Sequence, residues 1–317
     1  MTRIALSLAL AAALAACGSG QKAPDLGVGG SALAAPNGLT PNGLARNGLA
    51  QNGLAQNGLA QNGLTSAAFA SWFQAHPATA AEVMTYVVRC ALPARQSLSF
   101  TDPATRVTYS WTGSLGLAPG WASGLPATIA EEQIITACLA AHVNKFGMHV
   151  EMSVQGLGAT GVPIPVGKRE LDTFAQREGC FFGNLFEDEG VYVGIDHPLW
   201  DASTSSSRAC AFDILGIGPS ADCPPINNVG PCALICRPDA GGTYYTSCGT
   251  FVGGAWRTYL PITTRISPAD VYVCGDGVCQ WSEQCGTGTT ASSCLADCGA
   301  CTDSTGTSTT TKTAAKK

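Results

Sequence analysis

The chain has 317 residues, of which 12% are charged, with a formal net charge of −5 at pH 7, 38 glycines and 15 cysteines. Charge this far below the roughly 25% usual in soluble domains gives a polar but weakly charged surface. With no basic cluster outside the last few residues, the composition argues against a nucleic-acid partner or an anionic-lipid surface.

The N-terminus carries Arg3 followed by an unbroken apolar run over residues 4–16, the length of a signal-peptide core and too short to span a bilayer. The run closes on Leu14-Ala15-Ala16-Cys17. This resembles a bacterial lipoprotein signal. The resemblance implies that residues 1–16 are removed, that Cys17 is acylated as the first mature residue, and that the only membrane partner is the bilayer reached through that lipid. Gly18 follows, with no aspartate to retain the protein in the inner membrane, so the address implied is the outer membrane, facing the periplasm or the cell surface.

Residues 17–65 read as a flexible tether. Within them Asn-Gly-Leu recurs every five residues from Asn37 to Asn62. A five-residue step leaves Leu39, Leu44, Leu49, Leu54, Leu59 and Leu64 without a common stripe on a continuous helix, and makes them alternate between faces of a strand. A pentapeptide β-helix uses the same unit, but six copies close fewer than two coils. The reading is a loose, turn-rich stalk whose roughly 48 residues would hold the next domain on the order of 40 Å from the anchor.

Residues 66–273 carry the core, with helices and strands in no regular βαβ rhythm, which predicts an α+β fold. Thr79 and Glu82 form one candidate capping box and Thr128 and Glu131 another, the second opening a helix expected to run to about Phe146. Val83, Val87 and Cys90 share a face of the first helix, and Ile134, Cys138, Ala141 and His142 a face of the second. Those faces make a Cys90–Cys138 bridge a reasonable expectation. Leu98 and Phe100, then Val107, Tyr109 and Trp111, alternate about Asp102-Pro103 as a hairpin. Val150, Met152 and Val154 point inward from a further strand, with His149, Glu151 and Ser153 on its opposite face. Other strands are expected over 181–186, 191–195 and 256–266.

Fifteen cysteines point to an oxidising compartment. Without Cys17 they divide into eight in the core (Cys90, Cys138, Cys180, Cys210, Cys223, Cys232, Cys236, Cys248) and six near the end (Cys274, Cys279, Cys285, Cys294, Cys298, Cys301). Both sets are even, so each can close on itself, with connectivity left open by spacing. The Ser-, Gly-, Pro- and Cys-rich stretch 201–254 is expected to form a disulfide-pinned loop layer, either a binding surface or a stable lid.

Residues 274–301 form a separate module, Cys-Gly-Asp-Gly-Val-Cys followed by Glu283, Cys285, Cys294, Asp297-Cys298 and Cys301. It resembles the small CGDGxC modules that end many secreted bacterial proteins, with Trp281-Ser282 in place of the usual Pro-Gly. Asp276, Glu283 and Asp297 are hard oxygen donors that bridges could gather around calcium, although their spacing is not that of an EF-hand. No other cofactor is expected, and residues 302–317 read as a disordered tail.

Catalytic signatures are weak. Gly156-Leu157-Gly158-Ala159-Thr160-Gly161 fits a dinucleotide fingerprint, but Pro163 and Pro165 occupy the span where its helix must start. His142, after Ala140-Ala141, reads as a packed histidine on an apolar face. The His149-x-Glu151 pair lacks the Pro-Cys-x-x-Cys of a zinc deaminase, since Cys232 and Cys236 are one residue too far apart. Asp196-His197 could be an oriented acid–base pair or a turn before Pro198. An envelope hydrolase would draw on His149, Glu151, Ser153, Asp196 and His197.

The leader, the Asn-Gly-Leu tract and the segment Glu178-Gly179-Cys180-Phe181-Phe182-Gly183-Asn184-Leu185-Phe186 together resemble uncharacterised myxobacterial lipoproteins. That family carries no assigned activity. The expectation is a lipid-anchored binding or surface-interaction module, with a hydrolase or a structural envelope spacer as the competing readings.

Overall fold

A computed structural model describes residues 39–40, 43–44, 49, 51–59, 61–145, 150–196, 204–206, 208, 210, 218–219, 223–280 and 282–301. Cys17, His149, His197 and the tail lie outside the described residues.

The fold is a disulfide-rich α+β domain with helices packed on one face of a six-stranded sheet. Helix α1 (Ala67–Ala75) is opened by Ser66, whose hydroxyl accepts the Phe69 N–H at 3.2 Å. Its Phe69 and Phe73 meet the hairpin of β1 (Ser97–Thr101) and β2 (Thr108–Thr112), with Phe100 4.9 Å from both rings and Tyr109 4.7 Å from Phe73. Val107, expected in this hairpin, lies just outside β2 and is exposed.

Helix α2 (Pro77–Ala91) starts earlier than the Thr79–Glu82 box would place it, because Pro77 is preset for a first helical turn. Helix α3 (Ile129–Ala141) does use its box: Thr128 Oγ1 accepts the Glu131 N–H at 3.3 Å, and Glu131 Oε2 accepts the Thr128 N–H at 3.0 Å. It stops at Ala141, short of Phe146. The Cys90–Cys138 bridge staples α2 to α3 with Cα atoms 6.2 Å apart. Closing a 48-residue separation, it constrains the unfolded chain by about 4 kcal/mol in the chain-entropy picture. Replacing both cysteines by alanine is therefore expected to lower stability by that order in a denaturant titration, whereas bridges elsewhere remain intact.

The large sheet runs β3 (Met152–Gly156), β12 (Ile262–Ile266), β4 (Gln176–Asn184), β5 (Gly190–Ile195), β8 (Ile226–Pro231), β7 (Gly218–Pro219). All neighbours are antiparallel except β5 and β8. Helix α3 covers one face, where Met152, Val154, Phe181, Val191 and Val193 join the main core. On the other face sits a three-stranded sheet of β9 (Cys236–Pro238), β10 (Tyr245–Val252) and β11 (Ala255–Tyr259), enclosing a second core with Cys180, Phe182, Cys232 and Cys248. Successive residues of β4 thus serve different cores, Phe181 the first and Cys180 and Phe182 the second. Two details of the sequence reading are refined here. Ser153, placed on the face opposite the inward stripe, is fully buried, as is Gln155, and Glu170 of the Lys168–Thr173 helix lies against Ser153. The span 256–266 is two strands in different sheets, broken at Leu260-Pro261.

The Asn-Gly-Leu tract departs furthest from expectation. Leu39, Leu44, Leu49, Leu54, Leu59 and Leu64 are all buried in the main core, so the described part of the tract is packed rather than a loose stalk. Its described residues form separate turns, which removes the objection that five residues match neither a continuous helix nor a strand. Two such turns are the single helical turns Leu54–Asn57 and Gln61–Leu64. Asn52 Oδ1 accepts the Leu54 N–H at 3.0 Å, and Gly53 and Gly58 take φ of 72° and 74°. A Cβ on Gly58 would meet the Gly124 backbone at 2.4 Å, so glycine is required there for contact as well as for conformation. The core also satisfies tract backbone: the Leu59 N–H donates to the Trp121 carbonyl at 2.9 Å, and Trp121 Nε1–H donates to the Leu54 carbonyl at 2.8 Å. Glu82, freed from the helix start, accepts from the Thr40 N–H at 2.6 Å and the Thr40 hydroxyl at 3.2 Å.

The C-terminal module follows β13 (Val271–Val273), which pairs with β6 (Thr204–Ser206), and Ser282 donates to Ser205 at 2.7 Å across a buried contact. Seven bridges close the described cysteines: Cys90–Cys138, Cys180–Cys232, Cys210–Cys223 and Cys236–Cys248 before residue 274, and Cys274–Cys294, Cys279–Cys298 and Cys285–Cys301 after it.

Candidate functional site

The described part of the hydrolase set does not gather as a catalytic array. Ser153 donates its hydroxyl proton to Glu170 Oε1 at 2.7 Å and accepts from Gln155 Nε2 at 3.0 Å. Asp196 Oδ1 is engaged twice on the second-core face, by Arg177 Nη2 at 3.1 Å and by the Tyr245 hydroxyl at 2.7 Å. Burial, then the Asp196 carboxylate, pushes the Tyr245 phenol well above its ordinary range, so it stays a donor. Glu151 is exposed at the edge strand, and Asp270 lies within its field: burial raises the Asp270 carboxyl, with Glu151 and Glu178 adding to the shift.

Beneath the sheet, Glu178 and Arg208 form a fully buried pair, Nε to Oε1 at 3.3 Å, with the Thr264 hydroxyl donating to Glu178 Oε2 at 2.7 Å. Arg208 also lies 5.7 Å over the Phe181 ring. His142 is buried with Nδ1–H donating to the Cys138 carbonyl at 2.7 Å. Burial first, then the Arg89 charge, brings its pKa down to about 3, so it is a neutral packing histidine at physiological pH.

Among the described residues, three groups place metal-type donor atoms within 4.8 Å of one another: Cys90, Cys138 and His142; Cys180, Cys236 and Cys248; and Cys274, Cys294 and Asp297. Every cysteine in them is bridged, and a bridged sulfur is not the thiolate that binds a metal. Each acid of the calcium set is engaged within the module: Asp297 by the N–H groups of Gly275 and Gly277, Asp276 by that of Val278, and Glu283 by that of Gln280.

Two exposed aromatic rings, Phe251 and Trp256, lie on the small sheet. Register places Phe251 opposite Trp256, Gly249 opposite Thr258 and Ser247 opposite Arg237, so these six share the outward face. Trp256 lies across Gly249: a Cβ there would meet the indole at 2.5 Å. The indole therefore rests flat on backbone with its other face in solvent, 52% exposed. Phe251, 68% exposed, stands 5.2 Å away at 78°, forming a wall beside that floor. The Cys236–Cys248 bridge pins β9 to β10; the strands carry Arg237 and Arg257, Arg257 lying 3.8 Å from Glu189, and no carboxylate within their own residues, with Asp239 following β9. The pinned layer expected over 201–254 is thus partly a sheet. Its aromatic corner went unnamed in the sequence, although Gly253-Gly254 between two aromatic-bearing runs is a hairpin signal.

A GLTT repeat model matches residues 38–65 in six copies, which makes this a repeat-containing protein. No curated protein and no solved structure matches the chain. Among the described residues, no helix is long and apolar enough to cross a membrane.

Proposed function

We propose that this protein is a lipid-anchored envelope module that binds an acidic polysaccharide on the Trp256–Phe251 corner. The carrying observation is the indole laid flat over Gly249 with a perpendicular ring beside it. An aromatic face carries the negative end of a quadrupole, suited to the C–H face of a pyranose, and the corner has the shape of one sugar ring. Arg237, exposed on the same face of three strands that carry no acid themselves, favours a carboxylate-bearing chain over a neutral one. Attachment through Cys17 and the bridged module at 274–301 fit display outside the cytoplasm.

Affinity electrophoresis through polygalacturonate, through dextran, and alongside phosphatidylcholine vesicles tests this reading. Retardation by polygalacturonate alone is expected. Trp256→Ala should weaken it about 30-fold, the size of a binding hot spot, with an unchanged melting temperature because the ring covers only a surface glycine. Equal retardation by dextran, or association with vesicles alone, would overturn the assignment.

A further inference from the structure

Two bridges of the second core meet sulfur to sulfur. Cys180–Cys232 ties β4 to the single helical turn Cys232–Ile235 that follows β8, and Cys236–Cys248 ties β9 to β10. Cys236 Sγ lies 3.3 Å from Cys180 Sγ although the two are not bonded, and the sulfurs of Cys180, Cys236 and Cys248 all fall within 4.8 Å of one another. Among the described residues, the other two donor groups each hold one bridge, with His142 or Asp297 beside it; this group alone joins atoms of two bridges.

The sequence and the packing both set this approach. Cys232 and Cys236 stand four residues apart across one helical turn, which brings their side chains to the same side of it. Cys180 is paired with Gly194 in the β4–β5 register, and a Cβ on Gly194 would meet Cys180 Sγ at 2.8 Å and Cys232 Sγ at 2.9 Å, so that bridge rests directly on the β5 backbone. Cys180, Cys232 and Cys248 are buried, whereas Cys236 is partly exposed. Exchange proceeds by attack of a thiolate on a disulfide sulfur that it can reach, so Cys236 is the entry point for an external thiol. The 3.3 Å from there to Cys180 lies in the range of about 3–3.5 Å from which positioned atoms react.

We propose that these four cysteines form an internal thiol–disulfide relay, in which reduction of Cys236–Cys248 by a dithiol is passed on to Cys180–Cys232. One thiolate of the dithiol attacks Cys236 Sγ, the Cys236–Cys248 bond breaks, and Cys248 leaves and takes a proton. The second thiolate of the reductant attacks its own sulfur in the mixed disulfide, closing the oxidised reductant and freeing Cys236 as a thiolate. Cys236 then attacks Cys180 Sγ; the Cys180–Cys232 bond breaks, its electron pair goes to the Cys232 sulfur, and Cys232 is protonated. The dithiol has lost two electrons and two protons, and the protein has gained them as the Cys232 and Cys248 thiols. The remaining bridge, Cys180–Cys236, joins β4 of the large sheet to β9 of the small one, and leaves β10 without its covalent tie. The relay does not depend on the polysaccharide assignment, because its readout is which cysteines are joined.

The full oxidised chain treated with one molar equivalent of dithiothreitol, quenched in acid, labelled with N-ethylmaleimide and mapped by mass spectrometry tests it. The expected main product of partial reduction is a peptide pair joined by Cys180–Cys236, with the label on Cys232 and Cys248. Cys248→Ser leaves Cys236 as a thiol with no reductant added, so the same Cys180–Cys236 pair, with Cys232 labelled, is expected in the purified variant. Should that variant fail to fold, seen as mispaired Cys90–Cys138 in the map, trapping of the native chain decides. Label on Cys236 and Cys248 with Cys180–Cys232 intact, label confined to cysteines outside these four, or the Cys180–Cys236 pair already present in the untreated native chain would each overturn the relay, as would a folded Cys248→Ser variant that keeps Cys180–Cys232 whole.

Discussion

Leu54→Ala is expected to lower the unfolding free energy by about 2–5 kcal/mol, the range for truncating a fully buried leucine. Leu54 has no exposed surface, belongs to the main core, and lies in a turn whose carbonyl receives the Trp121 indole N–H. The loss combines the transfer of the removed carbons with the cavity left beside a large fixed ring, which has little freedom to collapse into it. Urea titration followed by tryptophan fluorescence reads the change directly. A tether would behave differently: shortening a solvated leucine there should move the midpoint by no more than the ±0.5 kcal/mol of ordinary surface substitutions. The same experiment on Leu44 and Leu59, both fully buried, extends the test along the repeat. Near-zero effects at all three positions would return the tract to a spacer.

Arg208→Met should cost about 3–5 kcal/mol, because it strands Glu178 as an unpaired charge in the interior. The Thr264 hydroxyl still donates to Glu178 Oε2 in that variant, but one hydroxyl donor does not neutralise the carboxylate as the guanidinium does. The companion Glu178→Leu/Arg208→Met removes both charges together. It should recover most of the loss, since two apolar side chains of similar size restore packing without desolvated charge. The pair is buried against Phe181 and within reach of Met152, so the replacement meets a mostly apolar wall. A double variant as unstable as the single would mean that the pair's value lies in its specific hydrogen bonds rather than in charge neutrality.

How much was legible in the chain depended on the range of the force concerned. The capping box at Thr128 and Glu131 was readable because its reciprocal bonds span three residues and need no outside partner. The matching signature at Thr79 and Glu82 misled, because Pro77 already sets the helix start and Glu82 finds a partner in Thr40, 42 residues away. The inward stripe of Val83, Val87 and Cys90 was visible as periodicity, and all three are fully buried. Alternation along β3 put Ser153 on the face opposite Met152 and Val154 but could not say that Glu170, 17 residues on, covers it there. His142 was readable as a packed residue from its apolar helical neighbours, whereas the aromatic corner needed the register of β10 against β11 to bring Trp256 over Gly249.

Composition and local pattern by themselves determined the α+β class, the even division of cysteines before and after residue 274, and the repeat with its five-residue step. These depend on counts and on neighbours a few residues apart. Only the tertiary structure decided which cysteines pair, and that the repeat leucines are core. A leucine every fifth residue has no amphipathic face of its own, so its burial is set by Trp121, Gly124 and the end of α3 packing over separate turns, contacts made across 60 residues and more.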